Sequence, residues 1–132
     1  MIVRKPIVKM LILKEDLGYS AYVHVGINSI FTQGDTFEEL NEMIIDAVNL
    51  TFEEEGFIYT IDEIKMEYDL KSFFSFYKVI NAKTLSRRIR MNQALLTQYI
   101  KGIKKPSPAQ TKKILNGVQQ LGRELTEIPI MI

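Results

Sequence analysis

Ile64-Lys65-Met66-Glu67-Tyr68-Asp69-Leu70-Lys71-Ser72-Phe73-Phe74-Ser75-Phe76-Tyr77-Lys78-Val79-Ile80 is where this chain changes its period. Ile64, Met66, Tyr68 and Leu70 alternate with Lys65, Glu67 and Asp69, the spacing of a strand with one buried face. From Lys71 on, Phe73, Phe76, Tyr77 and Ile80 return at helical intervals and predict the face of a short helix. Charge changes at the same place. Residues 1–70 carry five Lys/Arg against fourteen Asp/Glu, net −9, and residues 71–132 carry twelve against two, net +10. The overall +1 conceals this. Two halves of opposite charge attract different partners, because summed charge steers association before contact. The expectation is an α+β chain with an acidic domain at 1–70 and a basic, all-α domain at 71–132.

Upstream of the switch, Ile7 to Leu13 is apolar apart from Lys9, which predicts a strand buried on both faces. After turn chemistry at Glu15-Asp16-Leu17-Gly18, residues Ser20 to Val25 alternate, with Ala21, Val23 and Val25 on one side and Tyr22 and His24 on the other. A third short strand is expected at Ile30 to Gln33, completing an antiparallel meander. Gln33-Gly34-Asp35-Thr36 then breaks the strand. Thr36 and Glu39 have the spacing of a capping box, and Phe37, Leu40, Ile44, Ala47, Val48 and Thr51 form the apolar face of the helix that follows. Glu38, Glu39, Glu42, Asp46 and Glu53 lie opposite, and Gly56 ends it. The order is β-β-β-α-β, a sheet covered by one helix.

Downstream, a bundle of four helices is expected. Asn81 and Asn92 are placed to cap the second and third, Gly102 stops the third, and Ser107-Pro108 with Gln110 opens the fourth, which ends by Pro129. The segment Leu85 to Gly102, LSRRIRMNQALLTQYIKG, has the proportions of a helix-turn-helix, with a tight turn near Arg90-Met91-Asn92. Leu85, Ile89, Met91, Leu96 and Tyr99 are assigned to the core. Gln93, Ala94, Thr97, Gln98 and Lys101 remain outward, a set suited to base edges because Gln pairs bidentately with adenine and Ala or the Thr methyl touches the thymine methyl. Arg87, Arg88, Lys104, Lys105, Lys112 and Lys113 suit phosphates, which position a protein without reading sequence. The segment resembles the phage-repressor type of helix-turn-helix, whose recognition helix ends in Gly before a Pro-Ser stretch, as Gly102-Ile103-Lys104-Lys105-Pro106-Ser107 does. It departs in carrying Arg90 where that family often has Gly.

Nearly the whole chain, from about residue 7 to 125, resembles HicB-type antitoxins of bacterial toxin–antitoxin pairs. The resemblance rests on the strand Val8 to Leu13, on Gly18-Tyr19-Ser20-Ala21-Tyr22-Val23, and above all on Phe31-Thr32-Gln33-Gly34-Asp35-Thr36-Phe37-Glu38-Glu39. It implies a partial ribonuclease-H-like N-terminal domain that masks a small basic, RNA-cleaving HicA-type toxin, and a helix-turn-helix that binds the operon's own operator DNA. The exposed helix face of Glu38, Glu42 and Asp46 is the expected toxin contact. The segment Val25-Gly26-Ile27-Asn28-Ser29-Ile30 replaces a Pro-Gly loop found in many members, so detail in that loop does not carry over.

Other function classes are weighed against this. Ribonuclease-H catalysis needs clustered carboxylates around a divalent metal, whereas the strand positions here hold Lys9, Lys14, Tyr22 and His24. Asp35, Glu38 and Glu39 are accounted for as turn and helix-start residues. No enzyme, metal site or cofactor is expected. His24 is the single histidine and reads as a surface residue, and the absence of cysteine excludes disulfides. No apolar run reaches the roughly 18 residues of a membrane span, and the N-terminus lacks a signal-peptide pattern, so a cytoplasmic protein is the simplest reading. The run Phe73 to Tyr77 is assigned to core packing rather than to base stacking. Ile114, Val118, Leu121, Leu125 and Ile128 recur at heptad-like spacing, with Gly117 and Gly122 beside them. That stripe fits burial in its own bundle or a homodimer, which palindromic operators favour, and pairing of the acidic domains would give a tetramer. The rivals are a one-component transcriptional regulator whose N-terminal half senses a small ligand, and a metal-dependent nuclease.

Overall fold

The structure is a computed structural model that describes residues 4–130. The chain divides into two compact units, Met1–Phe76 and Tyr77–Ile132, six residues beyond the break expected at 70/71. The architecture is α+β: a four-stranded mixed sheet with its helices, then helices alone.

The first unit contains β1 (Lys9–Lys14), β2 (Tyr19–Val25), β3 (Asn28–Gly34), α1 (Phe37–Thr51), β4 (Lys65–Tyr68) and α2 (Leu70–Phe76). The sheet order is β3-β2-β1-β4. The first three strands form the expected antiparallel meander, with Leu11 opposite Tyr22 and Tyr22 opposite Phe31, and β4 adds parallel to β1. Alternation buries Met10, Ile12, Ala21, Val23, Ile30 and Thr32 on one face. Leu40, Ile44 and Val48 of α1 cover them at helical spacing. Burying large aliphatic side chains such as these contributes about 1.5–3 kcal/mol each. β1 is not buried on both faces: Leu11 and Leu13 are half-buried, Lys9 is exposed and Ile7 is largely exposed. Only one face of the sheet lies under α1, and Tyr22, His24, Ser29 and Phe31 are exposed on the other.

The Gly34-Asp35-Thr36 turn follows from two local requirements. Thr36 Oγ1 accepts the Glu39 amide at 3.1 Å while Glu39 Oε2 accepts the Asp35 amide at 3.2 Å. Gly34 lies directly under the helix it launches, since a Cβ there would stand 2.5 Å from the Leu40 nitrogen. At the far end of α1 the Asn49 side chain grips a distant residue. Its Oδ1 accepts the Tyr59 amide at 2.7 Å and its Nδ2 donates to the Tyr59 carbonyl at 3.2 Å, so it closes the base of the segment between them. The Tyr59 hydroxyl donates to Pro6 O at 2.6 Å, and burial pushes its pKa up.

The aromatic run takes a different helical face from the one expected. In α2 the buried residues are Leu70 and Phe74, while Phe76 and Tyr77 are exposed. Phe73 packs against the sheet core, among Tyr19, Phe37 and Tyr68. The cause is that α2 starts on the last residue of the expected strand and is fastened to the sheet: the Lys14 amide donates to Ser72 Oγ at 2.9 Å, and Ser72 Oγ donates to Asp69 O. This helix is part of the sheet unit, not the first of four basic helices.

The second unit contains α3 (Ala82–Arg88), α4 (Gln93–Ile100) and α5 (Pro108–Thr126). Asn81, Asn92 and Ser107 cap them as expected, each accepting the amide three residues on. Its core is small: Leu85, Ile89, Met91, Leu96, Tyr99 and Ile114. Gly117 completes it, because a Cβ there would fall 2.2 Å from Ile89 Cγ2. Val118 and Leu121 are half-buried, and Leu125 and Ile128 are exposed, so the α5 stripe is buried only at its start.

Candidate nucleic-acid interface

The site is built by how α3 stops. The Ile89 amide donates to Leu85 O at 3.1 Å, the Arg90 amide to Arg87 O at 3.3 Å, and the Met91 amide to Ser86 O at 2.9 Å. This paired stop satisfies carbonyls that the helix end leaves open. It requires a left-handed residue, and Arg90 supplies it with φ 55°, the one non-glycine residue at positive φ among those described. Met91 can then turn inward as Asn92 opens α4. Four residues, Ile89 to Asn92, separate the two helices.

α4 ends in the same way. Gly102 (φ 75°) donates to Tyr99 O at 3.1 Å and Ile103 to Gln98 O at 2.9 Å, while the Lys104 amide also reaches Gln98 O at 3.3 Å. That bond brings Lys104 back beneath the last turn of α4. Between its caps, α4 buries Leu96 and Tyr99 and exposes Gln93, Ala94, Gln98 and Lys101. Thr97 is half-buried.

Arg87, Arg88, Lys104, Lys105, Lys112 and Lys113 are all exposed. Two of them tie elements of the unit together. Arg88 forms an ion pair with Glu124 of α5, and Lys113 Nζ donates to the Arg90 carbonyl at 3.3 Å, so α5 is tied to α3 and to the turn. Neither contact is readable locally, since the partners lie 36 and 23 residues apart. Arg90 is an exposed cation beside Lys113 that sequence reasoning treated only as a turn residue. The unit Tyr77–Ile132 carries eleven Lys/Arg against two Asp/Glu, net +9.

A UPF0150 protein of Thermotoga maritima is 51% identical to this chain over 51 residues, 39% of the chain and 70% of the relative's length. The chain belongs to the UPF0150 family. That relative's name states no activity, and no family model and no solved structure matches the chain.

In the sheet unit, Glu38, Glu42 and Asp46 are all exposed on the outer side of α1. They stand beside two exposed apolar residues, Met43 and Leu50. Glu63 is held below the usual carboxylate range by the Lys5 ammonium 2.6 Å away and by the Thr60 amide. No group of three or more His, Cys, Asp or Glu residues able to hold a metal occurs among the described residues. His24 Nδ1 lies 2.8 Å from Ser29 Oγ, its neighbour across β2 and β3. No helix among the described residues is long and apolar enough to cross a membrane.

Proposed function

We propose that this UPF0150 chain is a DNA-binding antitoxin: its helical unit is a helix-turn-helix that represses its own operon, and its partial ribonuclease-H-like sheet unit neutralises a small basic, RNA-cleaving HicA-type toxin. The observation that carries the DNA half is the joint of α3 and α4. Two capped helices meet at a left-handed Arg90, and the second presents Gln93, Ala94, Gln98 and Lys101 to solvent. In such a motif the second helix enters the major groove, where Gln reads adenine. Arg87, Lys104, Lys105 and Lys112 then meet phosphates, with Arg90 and Lys113 at the turn. Arg88 contributes least, because a phosphate has to displace Glu124 from it.

The toxin half is supported by chemistry of charge and surface. A basic RNA-binding protein is attracted to the carboxylates of α1, and Met43 and Leu50 supply apolar contact between them. The Gly34-Asp35-Thr36 turn, on which the likeness to HicB-type antitoxins chiefly rests, launches that helix.

Co-expression of the chain with a small basic protein encoded beside it tests this reading. A stable complex, with growth arrest when the neighbour is made alone, is the expected result. No complex and no toxicity would remove the antitoxin half. For the DNA half, Gln98→Ala should cost about 1–3 kcal/mol at one base position, and Lys104→Ala should weaken all sequences alike and lower the salt slope by about one. Equal loss on every sequence for Gln98→Ala defeats its role as a reader.

A further inference from the structure

The β2–β3 hairpin differs from the rest of its unit in charge. From Leu17 to Gly34 there is no Asp, Glu, Lys or Arg, whereas residues 1–76 carry six Lys/Arg against fourteen Asp/Glu, net −8. β3 lies at one end of the sheet order and, among the described residues, pairs with β2 alone. A free edge is a row of unpaired N–H and C=O groups that templates another strand, and proteins usually blunt such edges with Lys, Pro, bulges or shortness. The opposite edge, β4, is blunted: it is four residues long and carries Lys65 and Glu67. β3 runs for seven residues, Asn28-Ser29-Ile30-Phe31-Thr32-Gln33-Gly34, with neither charge nor proline.

The register decides what this edge offers. Gly26 and Ile27 form a two-residue turn closed by Val25 opposite Asn28. Antiparallel alternation then aims the main-chain groups of Asn28, Ile30, Thr32 and Gly34 at β2, and those of Ser29, Phe31 and Gln33 away from it. The side chains of the same three residues are exposed on the face that α1 does not cover. Phe31 is 63% exposed at the centre of the strand, beside its register partner Tyr22 at 42%.

We propose that β3 pairs antiparallel with β3 of a second copy of this chain, centred on Phe31, and joins two four-stranded sheets into one. The two-fold arrangement is self-complementary: Phe31 faces its own counterpart, Ser29 faces Gln33, and the aromatic row Tyr22–Phe31 continues into the same row of the second copy. Charge selects this occupant. Two copies of a unit with net −8 repel over most of their surface, and the uncharged hairpin is where they can meet without opposing like charges. A basic partner gains instead from carboxylates, which the hairpin lacks and α1 displays. This inference stands whether or not the antitoxin reading holds.

The chain has no cysteine, so disulfide trapping reads the pairing directly. Opposed residues of a hydrogen-bonded antiparallel pair have Cα atoms about 5.5 Å apart, inside the disulfide range of roughly 4.4–6.8 Å. Full-length Phe31→Cys, mildly oxidised at low micromolar concentration, is expected to run as a linked dimer on a non-reducing gel. Leu17→Cys, at an 89% exposed position, should link only at the rate of random collision. Ser29→Cys alone should not link, but a mixture of Ser29→Cys and Gln33→Cys chains should. Circular dichroism of the reduced variants checks that each is folded. The proposal is overturned if Phe31→Cys links no faster than Leu17→Cys, or if Ser29→Cys alone links as fast as Phe31→Cys. A Phe31→Cys thiol shielded from alkylation only when a basic protein is bound would assign the edge to that protein and overturn it too.

Discussion

The two units hold themselves together by different means. In the sheet unit one continuous core runs from Val8, Met10 and Ile12 through Ala21, Val23 and Ile30 to Leu40, Ile44, Val48, Phe52, Tyr59 and Ile64. The helical unit buries half as many core residues, Leu85, Ile89, Met91, Leu96, Tyr99 and Ile114, and adds three side-chain caps, two paired helix stops and a glycine under an isoleucine. A sheet with one covered face is stabilised mainly by area removed from water. A unit of three helices, two of them only seven and eight residues long, has little area to remove, so its ends matter as much as its middle.

The largest effects set the two cores against each other. Ile44→Ala and Leu96→Ala, both at fully buried positions, should each cost about 2–5 kcal/mol. Urea unfolding followed residue by residue through backbone amide resonances should show Leu96→Ala moving only the transition of the helical unit and Ile44→Ala only that of the sheet unit. A single shared transition for both would end the comparison.

Next comes a contrast within α5. Gly117→Ala puts a methyl into Ile89, and overpacking of about 1–3 kcal/mol outweighs the helix propensity of roughly 1 kcal/mol gained over glycine. Gly122 has nothing within 4 Å of the added carbon, so Gly122→Ala should stabilise the same helix by about 0.5–1 kcal/mol. Opposite shifts in urea midpoint are expected, and shifts of the same sign would mean that Gly117 is not packed as described.

The two helix stops give a smaller test. Gly102 adopts its left-handed conformation without steric cost, whereas Arg90 pays for the same geometry with its Cβ. Arg90→Gly should relieve about 1 kcal/mol of strain and return part of it as unfolded-state entropy, leaving a gain of a few tenths. Thermal unfolding of the helical unit checks the sign.

The smallest effect is at Glu63. Its folded pKa lies below the ordinary glutamate value because of Lys5 and the Thr60 amide. Its contribution is therefore complete above that ordinary value and disappears as pH falls through the lowered one. The urea midpoint of Glu63→Gln should lie below that of the wild type near neutral pH and converge with it as pH falls, with the helical unit's pH profile unchanged.

Much of this was legible because it is local. Thr36 with Glu39, Asn81, Asn92 and Ser107 are capping signals three residues long, and the Leu40-Ile44-Val48 face repeats at the helical period. The run Phe73 to Tyr77 was misread because its rings satisfy two helical faces at once, and the choice between them is made by Ser72 meeting Lys14, 58 residues away. β1 looked doubly buried because its composition is apolar, but what covers a strand depends on where the helices go. The charge on Arg88 was visible and its commitment to Glu124 was not, for the same reason of distance along the chain.

Asn49 is a side chain doing the work of a strand partner, with both halves of its amide spent on the main chain of Tyr59. Between the two, Glu53, Glu54 and Glu55 are exposed and none belongs to the core. A chain opened at Glu54 would keep its new ends clasped below the break. That makes this bend the natural place to graft a reporter, with the sheet unit folding as it does when intact.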